Sequence, residues 1–340
     1  MAAITEYLEI ILDGSDLTFE QAKSLLDRVF EGGVADVQIA AFLAAMRMKR
    51  ASVGEIAGLA KSLREHAVCI NTGIDNLVDT CGTGGARLKL FNVSTAAAIV
   101  AAGAGVYIAK HGNRGITSKC GSADVLAELG VNITPDTGII VRCIREAHIG
   151  FMFAPMFHPA MKLVQPIRKS LDFRTAFNIL GPLVNPANAK AQVIGISEEA
   201  LMERIAETLK MLGTMRAMVV HSEGLDEIST MGPTKILELK NGQITAKEFN
   251  AADYGIALSD FDSLKGGDAK TNAKIIRDII NGQEKGPRRD IVVVNAAAAI
   301  MAGNLVDDFG SAIRLADASV SDGRALACLE KLIEISNGEW

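Results

Sequence analysis

Apolar residues in the first 70 positions recur at helical spacing. Ala22, Leu25, Leu26, Val29 and Phe30 fall on one face, as do Ile39, Phe42, Leu43 and Met46. Two stretches open on capping boxes, Thr18 with Gln21 and Ser52 with Glu55. No strand signal precedes Asn76. From Leu77 the pattern changes, and short apolar runs alternate with glycine turns and helical stretches. Candidate strands are Leu77–Thr80, Val106–Ala109, Gly150–Ala154, Gln192–Ile196 and Ala217–His221. Candidate helices lie between them at Ser94–Ala104, Ser122–Leu129, Pro135–Ala147 and Glu198–Leu212, with Thr134 read as a cap before a proline at the first helical position. The alternation predicts an α/β fold with a mostly parallel central sheet and helices on its faces. His158 to Asn188 breaks the rhythm. It is helical and proline-punctuated, and is expected to pack back on the N-terminal helices. The expected organisation is a small helical domain over 1–70, with 158–188 against it, and a larger α/β domain built from 75–157 and 189–340. Sites in such folds gather at the carboxyl ends of strands.

Composition narrows the function. The 340 residues are 49% hydrophobic, ordinary for a folded α/β chain. Lys plus Arg number 35 and Asp plus Glu 40, a formal net charge of −5, which argues against non-specific nucleic-acid binding but leaves room for a local basic pocket. The start, MAAITEYLEI, lacks a basic segment followed by a long apolar one, and Val93–Gly105 is too short to span a bilayer. Cys69, Cys81, Cys120, Cys143 and Cys328 form no CxxC pair, which reads as reduced thiols in the cytosol. Cys81 and Cys120 sit beside glycine motifs and are read as small packing residues, because no basic partner is in view.

Four motifs carry chemistry. The first is Asp79-Thr80-Cys81-Gly82-Thr83-Gly84-Gly85, after a strand, leading through Ala86–Leu90 into Phe91-Asn92-Val93-Ser94-Thr95 and a helix. The glycines let backbone N–H groups approach an anion, and Ser94 and Thr95 occupy a helix start that favours phosphate. By themselves these glycines fit a capped turn equally well. The second, Lys110-His111-Gly112-Asn113-Arg114, packs two cations, an imidazole and an amide at another strand end, a costly cluster to bury without a ligand. Thr117, Ser118, Gly121 and Ser122 follow, with Ser122 read as the cap of the next helix. The third, Gly224-Leu225-Asp226-Glu227-Ile228-Ser229, offers two carboxylates to a magnesium ion; alone, such a pair is a solvated loop. The fourth, Gln165-Pro166-Ile167-Arg168, offers a guanidinium to a carboxylate; alone, it is a surface arginine. No Walker loop, dinucleotide fingerprint, zinc spacing or Ser–His–Asp arrangement competes.

In combination and order, these motifs, with Gly121-Ser122-Ala123-Asp124-Val125-Leu126, Phe153-Ala154-Pro155 and Phe177-Asn178-Ile179-Leu180-Gly181-Pro182-Leu183, resemble the anthranilate phosphoribosyltransferase family over nearly the whole chain. The resemblance implies a nucleoside phosphorylase/phosphoribosyltransferase-like fold, a homodimer, Mg2+, a cytoplasmic setting and a step of tryptophan biosynthesis. It implies phosphoribosyl diphosphate and anthranilate as substrates, with no nucleic acid or membrane as partner. It places Gly82, Gly85, Ala86, Leu90, Asn92, Val93, Ser94, Thr95, Lys110, His111, Gly112, Asn113, Arg114, Gly115, Ile116, Thr117, Ser118 and Ser122 at the phosphoribosyl diphosphate site. Gly82, Asn113 and Arg168 would meet anthranilate, with His111 nearby, and Ser94, Asp226 and Glu227 would serve magnesium. Two positions depart from the family pattern: Ala86 stands where an aspartate commonly follows GTGG, and Leu90 where a threonine commonly precedes Phe-Asn. Arg87 and Lys89 lie between them.

The implied chemistry is dissociative substitution at the anomeric carbon, with a neutral amine as nucleophile, so no obligatory catalytic base is assigned. Two rivals are a nucleoside phosphorylase of related architecture, against which Arg168 and the Asp226–Glu227 pair count, and a non-catalytic nucleic-acid-binding relative, against which the net charge counts.

Overall fold

The computed structural model describes residues 4–115 and 119–338. Four helices open the chain, α1 (Thr5–Leu12), α2 (Phe19–Glu31), α3 (Asp36–Lys49) and α4 (Val53–Glu65). Both capping boxes form: the Thr18 and Ser52 hydroxyls accept the backbone N–H groups of Gln21 and Glu55, whose side chains return the bond. Glu55 does more than cap. Its fully buried carboxylate accepts the N–H groups of Leu17 and Ser52 and pairs with Lys49 Nζ at 2.7 Å. Lys49, itself only 8% exposed, also pairs with Asp16. One shielded charge thus fixes the entry to α4 and the turn before α2.

The remaining elements wind around one sheet. The strands are β1 (Leu77–Gly82), β2 (Tyr107–Gly112), β3 (Ile149–Phe153), β4 (Ala191–Gly195), β5 (Arg216–Ser222), β6 (Thr234–Lys240) and β7 (Gln243–Phe249), in the spatial order β3-β2-β1-β4-β5-β6-β7. The first five are parallel, while β6 and β7 add antiparallel to β5. The helices among and after them are α5 (Val93–Gly103), α6 (Ser122–Glu128), α7 (Thr137–Ala147), α8 (Ala154–Phe157), α9 (Met161–Leu171), α10 (Phe177–Leu180), α11 (Met202–Met211), α12 (Phe261–Leu264), α13 (Ala269–Ile280), α14 (Pro287–Ala302), α15 (Phe309–Ser321) and α16 (Arg324–Ser336). Among the described residues no helix is long and apolar enough to cross a membrane.

Successive strand residues face opposite cores, as the pleat requires. Val193, Met218 and Val220 point to one face, where they meet α5 and α14. Ile194, Ala217 and Val219 point to the other, sharing an apolar cluster with Leu25, Leu43 and Ile56 of the opening helices and with Val164, Ile167, Phe177 and Leu180 from the 158–188 segment. The chain lays β1, β2 and β3 outward, then returns to place β4 on the opposite side of β1. That reversal opens a crevice at the carboxyl ends of β1 and β4, where ligands bind in such sheets.

Besides the helices α12–α16, which the sequence reading did not reach, the structure differs from it in three places. The helix expected from Pro135 begins at Thr137 with Asp136 at its cap, and the Thr134 hydroxyl turns back to Asn132 instead. Gly121, not Ser122, holds the cap position of α6, and Asp124 accepts its N–H. The β6–β7 hairpin was not among the candidate strands. Its turn, Asn241-Gly242, has positive φ at both residues, the geometry that suits a two-residue hairpin.

Because Glu55 neutralises a nearly dry lysine, Glu55→Ala should destabilise the fold by about 3–5 kcal/mol, and Glu55→Gln by less, since it keeps part of the hydrogen bonding. Urea unfolding checks this; a loss for Glu55→Ala below about 1 kcal/mol would reduce the group to an ordinary cap.

Candidate active site

The crevice deepens into a cavity of about 690 Å³. Loops after β1, β2, β3 and β5 form its floor, and α9, α10 and the turn between them form a side wall. Of the site residues read from the sequence, Ile116, Thr117 and Ser118 lie outside the described residues. All the others border the cavity except Val93, whose side chain turns into the apolar core as α5 begins. The strand-end loops therefore converge, although they lie far apart in sequence.

The glycine loop is fastened to the carboxylate loop. Asp226 Oδ2 accepts the Gly84 N–H at 3.2 Å. A Cβ on Gly82 would fall 2.6 Å from Asp226 Oδ2, and one on Gly195 1.7 Å from the Asp226 carbonyl oxygen, so both β1 and β4 must end in glycine beside this loop. Asp226 and Glu227 are half-exposed by area yet hemmed in by protein. Desolvation pushes both carboxyls up. Glu227 reaches about 8, with the charge of Asp226 adding to the effect and Lys110 and the Ser94 N–H opposing it. Two adjoining carboxyls beside a helix start form a hard oxygen donor set short of positive charge. Among the described residues no group of three or more His, Cys, Asp or Glu forms a closed metal cage. Such a set fits a magnesium ion that keeps waters and takes further ligands from a phosphate.

Beneath the second loop lies a buried polar network. Asp79 on β1 accepts the His111 N–H at 3.1 Å and the Asn185 side-chain amide at 2.8 Å. Lys110 Nζ donates to the Thr80 carbonyl at 2.5 Å, and burial lowers its pKa against the pull of Asp79. His111 is held neutral, its pKa lowered to about 3 by burial and by neighbouring His158, whose ring centre is 5.1 Å away. Its buried Nε2 has no hydrogen-bond partner among the described residues. Beyond it, Asp124 accepts the N–H groups of Gly115 and Gly121 and pairs with Arg114 at 2.8 Å, folding the loop back onto α6.

On the side wall of the cavity, the Arg168 guanidinium of α9 lies 5.5 Å over the Phe177 ring and makes a long 3.3 Å contact to Gln165. Burial lowers its pKa, and no carboxylate pairs with it among the described residues. It is a half-buried cation with donors to spare. The leucines of the divergent loop pack: Leu88 lies against Gly224 and donates its N–H to the Gly224 carbonyl, while Leu90 bridges to Lys265. Arg87 is exposed and away from the cavity, whereas Lys89 borders it and bears on Asp226.

Sequence reasoning did not single out Asp79, Asn185, Asp124, His158 or Arg174 as parts of the site. Asp124 had a signal, being placed three residues after a glycine turn at a helix start. The others owe their place to contacts across long stretches of chain.

Known proteins share this sequence and fold. Residues 74–326 match the glycosyl transferase family α/β domain, and residues 5–67 its helical bundle domain. An anthranilate phosphoribosyltransferase of Methanocorpusculum labreanum is 48% identical over 337 residues, and one of Chloroflexus aggregans 45% identical over 338, each alignment covering 99% of both chains. The solved anthranilate phosphoribosyltransferase of Thermus thermophilus superimposes with a TM-score of 0.92 at 36% identity, covering 97% of this chain and 99% of its own. That of Saccharomyces cerevisiae, solved in complex with PRPP and Mg, gives 0.90 at 25% identity, with 98% of each chain covered. With its motifs gathered at one crevice and its whole length matched in both sequence and fold, the chain belongs to the anthranilate phosphoribosyltransferase family of glycosyl transferases.

Proposed function

We propose that this chain transfers the phosphoribosyl group of phosphoribosyl diphosphate to the amine of anthranilate, giving phosphoribosyl-anthranilate and diphosphate in tryptophan biosynthesis. The observation that carries this reading is a single cavity lined by two kinds of group. One set is glycine-loop amides, a helix start and a carboxylate pair; the other is Arg168, which has no carboxylate partner among the described residues. The yeast relative solved with PRPP and Mg shares the fold over nearly its full length.

The chemistry follows from those groups. The bond from the anomeric carbon to the diphosphate oxygen breaks, and its electron pair leaves with the diphosphate. A lone pair of the ring oxygen steadies the positive carbon, and the amine nitrogen forms the new bond before losing a proton. Backbone N–H groups of the glycine loop and the start of α5 stabilise charge on the leaving diphosphate. Magnesium, held by Asp226, Glu227 and the Ser94 region, would supply further neutralisation of that group when bound. Lys89, in the loop where relatives commonly run from an aspartate to a threonine, adds an exposed cation whose charge bears on Asp226. Arg168 orients the carboxylate of anthranilate, so that its neutral amine faces the sugar carbon and positioning does much of the work. Neutral His111 borders the same space and is not required as a base. We place the enzyme in the cytoplasm, in keeping with its five free cysteines. A nucleoside phosphorylase would have no use for a cation aimed at a carboxylate. A diphosphate-release assay with anthranilate, uracil or no acceptor separates the readings, and release dependent on anthranilate alone supports this one.

Three outcomes follow from the assignment. Replacing Asp226 with Asn and Glu227 with Gln together keeps shape and removes charge, so turnover should collapse while the melting temperature stays near that of the parent. Near-normal turnover would overturn the carboxylates' role. Arg168→Ala should raise the anthranilate requirement far more than that for phosphoribosyl diphosphate, at a cost of about 2–5 kcal/mol in kcat/KM; equal effects on both would make Arg168 structural. We also propose that the chain is a symmetric dimer through its opening helices, where Val37 and Met48 stand 73% and 87% exposed. Sedimentation at micromolar concentration should give a dimer, with Met48→Glu weakening it, and a monomeric parent would rule the dimer out.

A further inference from the structure

The glycine loop carries a peptide held by two side chains, Ser197 outside the cavity wall and Arg174 on it. Gly84 and Gly85 both have positive φ, 65° and 83°, so the backbone here can turn in ways closed to other residues. The Gly84 carbonyl accepts the Ser197 hydroxyl at 2.9 Å and Arg174 Nη2 at 3.4 Å. A trans peptide is planar, with its N–H antiparallel to its C=O, and no cis peptide occurs among the described residues. With the Gly84 oxygen held against Ser197, which is not part of the cavity wall, the Gly85 N–H points the opposite way, away from Ser197. That N–H has no hydrogen-bond partner among the described residues.

Both holding groups are themselves braced. Ser197 follows β4, and its own N–H donates to Thr83 Oγ1 at 3.4 Å, while the Thr83 N–H donates to the Gly195 carbonyl at 2.9 Å. Arg174 lies between α9 and α10, and its carbonyl accepts Arg47 Nη1 of α3 at 2.6 Å. Its Nη1 reaches Glu198 at 3.5 Å and lies so near the loop that a Cβ on Gly85 would come within 2.2 Å of it. The loop is thus gripped by the end of β4 on one side and, through Arg174, by the helical layer on the other.

We infer that Ser197 and Arg174 are positioning residues that fix the Gly84–Gly85 peptide with its N–H presented to the diphosphate of the substrate. The inference rests on the reading of this cavity as a phosphoribosyl diphosphate site. Ser197, outside the cavity wall, acts only by denying the carbonyl the chance to flip inward, where it would repel an anion; Arg174 borders the cavity and does the same alongside its own charge.

The test is calorimetric binding of inorganic diphosphate with magnesium, together with steady-state kinetics, on the full chain. Ser197→Ala should weaken diphosphate binding about fivefold to tenfold, the worth of one neutral hydrogen bond, and Arg174→Ala by more, because it also removes a cation from the cavity wall. They should raise the KM for phosphoribosyl diphosphate by a similar factor and leave the KM for anthranilate nearly unchanged. Ser197→Thr, which keeps the hydroxyl, should restore binding. A general structural role would instead lower the melting temperature and disturb both KM values. If Arg174→Ala fails to fold, Arg174→Lys and the two Ser197 variants carry the test. Diphosphate binding by Ser197→Ala within about twofold of the parent, or no rescue by threonine, overturns the inference. A parent that binds diphosphate but releases none with anthranilate sinks the functional reading and leaves this inference intact. A parent that does not bind diphosphate overturns both.

Discussion

Asp79 is the residue from which the site hangs. It has no exposed surface, and a carboxyl buried to that depth is costly unless its oxygens are met. One oxygen takes the His111 N–H from the neighbouring strand, and the other takes the Asn185 amide from the segment that returns to start β4. Lys110, equally enclosed, tempers the charge from beside it. Desolvation still pushes the carboxyl up and the ammonium down, so each group depends on the other being in place. Through these contacts the carboxyl ends of β1 and β2 and the approach to β4 share one anchor. The loops that line the cavity begin at those points.

The same frame explains how a chain with a net charge of −5 builds a pocket for a highly charged anion. It relies on N–H groups at the glycine loop and at α5, a few cations at the rim, and two carboxyls that desolvation pushes up in spite of Lys89, Arg174 and Lys110 nearby. Local arrangement outweighs overall charge, because fields inside a narrow, poorly hydrated cleft are set by the nearest groups.

Much of the fold and site was legible where chemistry is dense along the chain. Gly82–Gly85, Lys110–Arg114 and Asp226–Glu227 could each be found because several informative residues are adjacent, and the five parallel strands stood out as short apolar runs between glycines. Asp79 was read within its motif, but its anchoring role was hidden, since a strand residue gives no sign of what lies beside it. Asn185, Arg174 and Ser197 act over separations that only folding closes. The β6–β7 hairpin was missed despite its Asn-Gly turn, because its outer strand is mostly polar and exposed and so lacks the apolar signature of the interior strands. The start of α7 was misplaced by two residues because a proline signal was favoured over the aspartate that follows it.

The apolar cluster beneath the sheet has a bearing on how this polypeptide can be divided. Ile194, Val219 and Leu239 of the strands are roofed by the same contacts that bury Leu25 and Ile56 near the amino end. Synthesised without its first 70 residues, the α/β portion would present a sticky underside to water and, by ordinary solubility rules, would gather into aggregates. The early-made helices therefore wait on a surface that leaves the ribosome more than a hundred residues later, so opening helices and mid-chain strands must meet before either is safe.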